Sequence, residues 1–181
     1  MPQLTAPDPR FHDSFVETLA EFEAAGPLAD WAAHLDLAAL RTPSGFAAYV
    51  ADLHARRSRE SSDPEGPVRE SSLFWVEGDE FVGRIAVRHR LNAKLERFGG
   101  HIGYTIRPSA QGKGQASALL RATLPVAYAL GIEDALLTTD PDNLASRRVI
   151  EKCGGRLVEQ TGDRCYYRLR TQGTFPALRT N

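Results

Sequence analysis

Apolar residues recur along this chain with two different periods, and the changes of period mark out its elements. Phe11, Phe15, Leu19 and Phe22 fall on one face of a helix, which Asp8 as a cap and Pro9 in the first turn would start. Thr42-Pro43 repeats that signal, and Phe46, Val50 and Leu53 line the face of a second helix. Between Arg56 and Ser72 the pattern lapses into charged residues mixed with Ser, Pro and Gly, which predicts a mobile surface loop. The period then shortens to two. Leu73 to Val76 and Phe81 to Val87 read as strands joined by a turn at Gly78-Asp79, and Gly100 to Ile106 reads as a third. A helical period returns over Lys113 to Leu130, with Ala116, Leu119, Leu120 and Leu124 as its buried stripe and Pro125 expected to bend it. Ala135 to Thr139 is a short strand, and Asn143 to Lys152 is a helix stopped by Gly154-Gly155. Arg156 to Glu159 and Cys165 to Leu169 close the series as a hairpin pair.

Two helices, three strands, a helix, a strand, a helix and two strands predict an α/β protein of the α+β kind. Its centre would be a single mixed, mostly antiparallel sheet flanked by helices. The 181 residues, 42% of them hydrophobic, suffice for one domain with one core, centred on about residues 70–170; a loose tail is expected from about Thr171 onward. No apolar run approaches the ~20 residues that cross a bilayer, and Met1-Pro2-Gln3 does not open a signal peptide, so a cytoplasmic protein without a membrane partner is expected. Cys153 and Cys165 have no metal-ligand spacing with each other or with the histidines; they read as reduced thiols, and no metal is expected. A formal net charge of −1 argues against a general nucleic-acid binder, while leaving room for a local basic patch.

One segment carries more chemistry than the rest. The run Ile102-Gly103-Tyr104-Thr105-Ile106 breaks at Arg107-Pro108, passes through Gln111-Gly112-Lys113-Gly114 and opens at Gln115-Ala116 into a helix. Such a turn offers backbone N–H groups, with little side-chain bulk, at the positive end of a helix, and it suits a phosphate or pyrophosphate. It is not a P-loop, because no glycine stands at the required place upstream of Gly112-Lys113. It is a poor dinucleotide fingerprint, because Ser117 replaces the third glycine and the strand before it belongs to a meander.

The pattern that fits is Gln/Arg-x-x-Gly-x-Gly/Ala, met by Gln111, Gly114 and Ala116. With His101 to Pro108 as the strand before it, and with Asn143-Leu144-Ala145-Ser146 to Glu151-Lys152-Cys153-Gly154-Gly155 as a later helix, the chain resembles the GNAT superfamily of acyl-CoA-dependent N-acyltransferases. The stretches Arg88 to Asn92, Gly99 to Tyr104, Ile106 to Ser109 and Ile150 to Gly155 are similar to those of a bacterial subgroup. The resemblance covers roughly residues 70–170 and, more loosely, the first two helices. It implies an acetyl-CoA donor, an amine acceptor attacking it directly, and backbone groups of Gln111, Gly112, Lys113, Gly114, Gln115 and Ala116 around the pyrophosphate. It also allows a homodimer, for which the sequence shows no interface signature.

The same resemblance places the donor's pantetheine arm where the strand of Tyr104, Thr105 and Ile106 splays from Leu136 to Thr139, with Asn143 on the arm, capping its helix, or both. For the general base it offers His101, at a strand position where many relatives carry glutamate, or His89. For the general acid it offers Ser146, with Tyr166 or Tyr167 or solvent as alternatives, because Ile150 stands where many relatives have a tyrosine. The basic run from Arg88 to Phe98 reads as a solvated loop, or as a holder of a substrate carboxylate or a CoA phosphate. Arg147 and Arg148 reach the adenosine phosphates or simply cover their helix. A CoA-binding sensor that has lost turnover is the rival reading.

Overall fold

Proline and short polar caps set the helix starts in the computed structural model, which describes residues 1–26, 32, 35–59 and 61–172. Asp8 caps a single 3-10 turn, Pro9–Phe11, that leads into α1, His12–Ala25. The short α2, Leu37–Leu40, is capped by Asp36. The Thr42 hydroxyl accepts from the Gly45 N–H and starts α3, Pro43–Arg56, with Pro43 in its first turn. Phe11, Phe15, Leu19, Phe46, Val50 and Leu53 all point inward from these elements, onto Phe74, Val76 and Phe81 of the sheet. Burying a side chain of this size contributes about 1.5–3 kcal/mol, so these rings anchor the helices to the sheet.

The α+β class and the flanking helices are as expected, but the expected single sheet is forked. Strands β1 (Gln3–Thr5), β2 (Glu70–Glu77), β3 (Glu80–Arg88) and β4 (Ile102–Ile106) form a four-stranded antiparallel sheet in that order. Strands β5 (Asp134–Thr139), β7 (Cys165–Arg170) and β6 (Arg156–Gln160) form a three-stranded antiparallel sheet in that order. The two meet where Gly100 bridges Leu137, and the His101 N–H donates to the Leu136 carbonyl at 2.7 Å. Gly100 has φ +63°, and a Cβ there would collide with the Leu136 carbonyl oxygen, so only glycine permits this approach. Beyond that bridge β4 and β5 are not paired.

Helices α5 (Gln115–Ala129) and α6 (Leu144–Lys152) cover the other face. Leu119, Leu120 and Leu124 pack with Ile85, Ile102, Leu137, Ile150 and Tyr167 in a second core. Pro125 lies on the exposed side of α5, and the helix continues past it.

Three further expectations are corrected, and one strand is new. Glu70 to Ser72, read as loop, belong to β2, with Ser71 and Ser72 buried. The basic run after His89 contains a helix, α4 (Ala93–Arg97), because the Asn92 side chain caps it by accepting from the Leu95 N–H. Strand β1 has no counterpart in the sequence pattern. Thr171 is not loose: it is buried, and its hydroxyl donates to the Ile132 carbonyl. The remainder of the expected tail, 173–181, lies outside the described residues.

Candidate active site

The Gln111–Ala116 turn takes its shape from two glycines in left-handed backbone, Gly112 at φ +73° and Gly114 at φ +79°. No acceptor among the described residues takes the N–H groups of Gly112 to Ser117, so they point outward at the start of a 15-residue helix. The side chains hold the turn rather than fill it. Gln111 Nε2 donates to the Ile106 carbonyl, Lys113 Nζ to the Ser109 carbonyl, and Gln115 accepts from the Trp75 indole at 2.8 Å. From below, Glu21 of α1 clamps the approach: it accepts from the Arg107 guanidinium, the Ser109 N–H and the Ser109 hydroxyl. Burial would raise the Glu21 pKa, but these donors outweigh it and bring it below the usual value.

Where β4 and β5 diverge, α6 presents its first turn. The Asn143 side chain accepts from the Ser146 N–H at 3.0 Å, so it caps the helix through Oδ1. The Ser146 hydroxyl meets the Tyr104 hydroxyl at 2.9 Å. Burial pushes the Tyr104 phenol up to about 12, although the Ser146 hydrogen bond opposes the rise; the phenol is therefore protonated near pH 7. From the sequence Tyr104 reads only as a strand contact to the donor. Its pairing with Ser146 depends on register and is invisible to spacing.

The remaining predicted residues are spread out. His101 closes the fork: its Nδ1 accepts from the Leu136 N–H at 3.0 Å, which in the neutral ring leaves the proton on Nε2. Burial, then Arg168 and Arg88, hold its pKa below the usual value. His89 is bonded through Nε2 to the Ser71 hydroxyl at 2.9 Å, next to β2 rather than the fork. Tyr166 pairs with Thr138 on the face opposite Tyr167. Tyr167 donates to Glu151 and accepts from Arg147 of α6, so the thickness of the sheet separates Tyr166 from Ser146. Arg147 is thereby tied to the fold, while Arg148 is exposed. Thr105 and Ile106 belong to β4, Thr105 on the α3 face and Ile106 in the α5 core.

Sequence spacing misses a polar seam on the α3 face. There Arg84, Phe74 and Thr105 stand in one cross-strand row, and Arg84 is buried with an Nη2 at 3.4 Å from the Ser72 hydroxyl. Arg88 donates to the Gly100 carbonyl at 3.1 Å and pairs with Glu70, which also faces Arg56. Burial lowers the Arg88 pKa against the raising effect of Glu70. A cavity of about 410 Å³ opens beside this seam, lined among others by Arg56, Arg59, Glu65, Glu70, Arg88 and Lys94. Because Arg88 touches the closed end of the fork and lines this cavity, the two spaces adjoin.

An antiparallel α+β domain with a forked sheet, an uncapped helix start and a hydroxyl pair in the fork has the organisation of an acyl-group transferase. Residues 29–156, most of the chain, match the family model described as the acetyltransferase (GNAT) domain, and the chain belongs to that family. None of the curated proteins matches it. Solved structures share the fold at low identity. RimJ of Mycobacterium smegmatis, in complex with CoA-disulfide, is 19% identical with a TM-score of 0.66, covering 93% of this chain and 81% of that one. The ribosomal-protein-S5-alanine acetyltransferase of Vibrio fischeri is 14% identical, TM-score 0.66, covering 94% and 93%. The microcin C7 self-immunity acetyltransferase MccE, in complex with acetyl-CoA and AMP, is 13% identical, TM-score 0.65, covering 93% and 92%.

Proposed function

We propose that this chain transfers an acetyl group from acetyl-CoA to a primary amine by direct attack in a ternary complex. The observation that carries the reading is the row of outward N–H groups from Gly112 to Ser117, next to a fork whose open end faces the Ser146 and Tyr104 hydroxyls. Those N–H groups suit the pyrophosphate of CoA. RimJ and MccE, which share the fold, are described with CoA-disulfide and with acetyl-CoA.

The chemistry follows from what surrounds the fork. CoA supplies the activated acyl group as a thioester. Among the described residues, strand β4 between Ile102 and Ile106 has no strand partner on its β5 side, so its main chain is available to the pantetheine amides and to the thioester carbonyl. The amine enters from the α3 face, where only the Arg88 guanidinium lies near Gly103, and it releases its proton to solvent in the cavity beside Glu65 and Glu70. As the nitrogen–carbonyl bond forms and the carbon–sulfur bond breaks, the departing thiolate receives a proton from Ser146; Tyr104 passes one to Ser146 and regains it from solvent, which balances the proton the amine gives up to solvent. The neutral, Nε2-protonated state of His101 suits it to holding the closed end rather than accepting the proton.

Incubation with acetyl-CoA and a panel of amines, with release of free thiol as the readout, tests this reading. Turnover with at least one amine is expected. CoA binding without turnover across the panel would leave a sensor, and the absence of thermal stabilisation by CoA would remove both readings.

A further inference from the structure

Beside the larger cavity lies a second, of about 220 Å³, lined by Arg59, Ser61, Pro67, Arg69, His89 and Arg90. Arg59 and Pro67 line both, so the two compartments are neighbours. Their charges differ. The first has two carboxylates, Glu65 and Glu70, among its cations; the second has three arginines and no carboxylate among its described lining residues. In a chain whose formal net charge is −1, this is a local concentration of positive charge. A guanidinium has five donors, and Arg59 bonds Asp52, and Arg90 the Pro64 carbonyl, through a single nitrogen each, so both keep donors to spare. The forked geometry of guanidinium matches the paired oxygens of carboxylate and phosphate.

We propose that the acceptor is a small primary amine that also carries a phosphate or carboxylate group, its anion held among Arg59, Arg69 and Arg90 and its nitrogen in the larger cavity beside Glu70 and Arg88. This rests on the acetyltransferase reading and narrows its substrate. The arrangement selects at both ends. Among the described lining residues of the smaller compartment an entering ammonium meets three guanidinium groups, and a neutral group there gains nothing from the arginines. The larger compartment, at about 410 Å³, is of ligand size, whereas the smaller fits a single anionic group. The position of Arg88 fixes the direction of the substrate: its guanidinium bonds the Gly100 carbonyl at the closed end of the fork, so the amine end faces the acyl group and the anion lies outward.

Calorimetry on the full chain saturated with CoA tests this, with O-phosphoethanolamine and 4-aminobutyrate compared with ethanolamine and butylamine. The anionic amines should bind at least tenfold more tightly than their neutral counterparts, and the stronger of the two identifies phosphate or carboxylate as the group read. The double variant Arg59→Ala/Arg90→Ala should remove at least tenfold of that preference. It should leave CoA affinity unchanged and lower the melting temperature only slightly, since both side chains are exposed and their bonds to Asp52 and Pro64 lie at the surface. Where turnover is measured, the loss should fall on KM, with kcat within twofold of the parent. Arg90→Glu should shift preference toward spermidine. Equal binding of neutral and anionic amines, or an anion preference that survives the double variant, overturns the proposal. Anion-dependent binding without acetyl transfer overturns the proposed function instead and leaves the site standing.

Discussion

Single residues decide whether the turn before α5 can meet a ligand. Gly114 sits at φ +79°, and a Cβ there would meet nothing within 4 Å, so a side chain would strain the backbone without striking the protein. A β-branched residue is the least suited to that conformation. Gly114→Val is therefore expected to abolish stabilisation by CoA in a thermal-shift assay while the unliganded protein still folds; unchanged CoA affinity would remove the pyrophosphate assignment. Ser146 is the second such position. Ser146→Ala deletes the hydroxyl next to Tyr104 but leaves the backbone N–H that Asn143 caps. A fall of kcat on the order of 10²-fold, with KM for acetyl-CoA little changed, is expected from the loss of a positioned acid. Equal kcat would assign protonation of the thiolate to solvent.

At the scale of elements, helix α5 combines its exposed start with a proline in its interior. Pro125 cannot donate to the preceding turn, yet the helix runs on to Ala129 because Leu119, Leu120, Leu124 and Ala127 hold it against the sheet. Since Pro125 is exposed, Pro125→Ala should restore a backbone bond at little loss of packing. The expected gain is about 1 kcal/mol in urea titration, well short of the ~3 kcal/mol difference seen in unsupported helices. Elements of this length and period were readable from residues alone: α1, α3, α5, α6 and the strands from β2 to β7 all lie within a few residues of their expected places. What escaped was short. Strand β1 has three residues and α2 has four, too few to display a period, and the charged run around α4 obscured its Asn92 cap. The site divided the same way. The glycine turn is contiguous in sequence and could be read, whereas Tyr104 with Ser146, or Arg88 with Glu70, become neighbours only through strand register and helix placement. His101 was visible as a histidine beside β4, but its engagement by the Leu136 N–H was not.

For the molecule as a whole, the connection between its two cores passes close to Glu21. That carboxylate joins α1 to Arg107 and Ser109 at the exit of β4, and so couples the aromatic core under α1 and α3 to the turn before α5. Its pKa is lower in the folded chain than the usual value of 4.5. A lowered carboxylate stabilises the fold above the unfolded-state value and loses that contribution as pH falls through the folded value. Glu21→Gln is therefore expected to reduce stability at pH 7 by roughly 1–3 kcal/mol. It should also flatten the loss of stability below about pH 4.5, as followed by urea titration across pH. A parallel shift of the whole curve, with the same slope in acid, would show that the clamp does not act through ionisation.

An unpaired strand margin on a protein surface invites a neighbouring chain to add itself, which is the route to aggregation. Here two such margins, on β4 and on β5, turn toward each other instead of outward, joined at Gly100 and Leu137 and roofed by α5 and α6. Each margin offers the main-chain donors and acceptors that one more strand would use. The gap between them asks for an occupant that is slender, extended and supplied with amide groups, yet too short to be a polypeptide. In that sense the fold keeps open inside itself the pairing that other sheets must defend against.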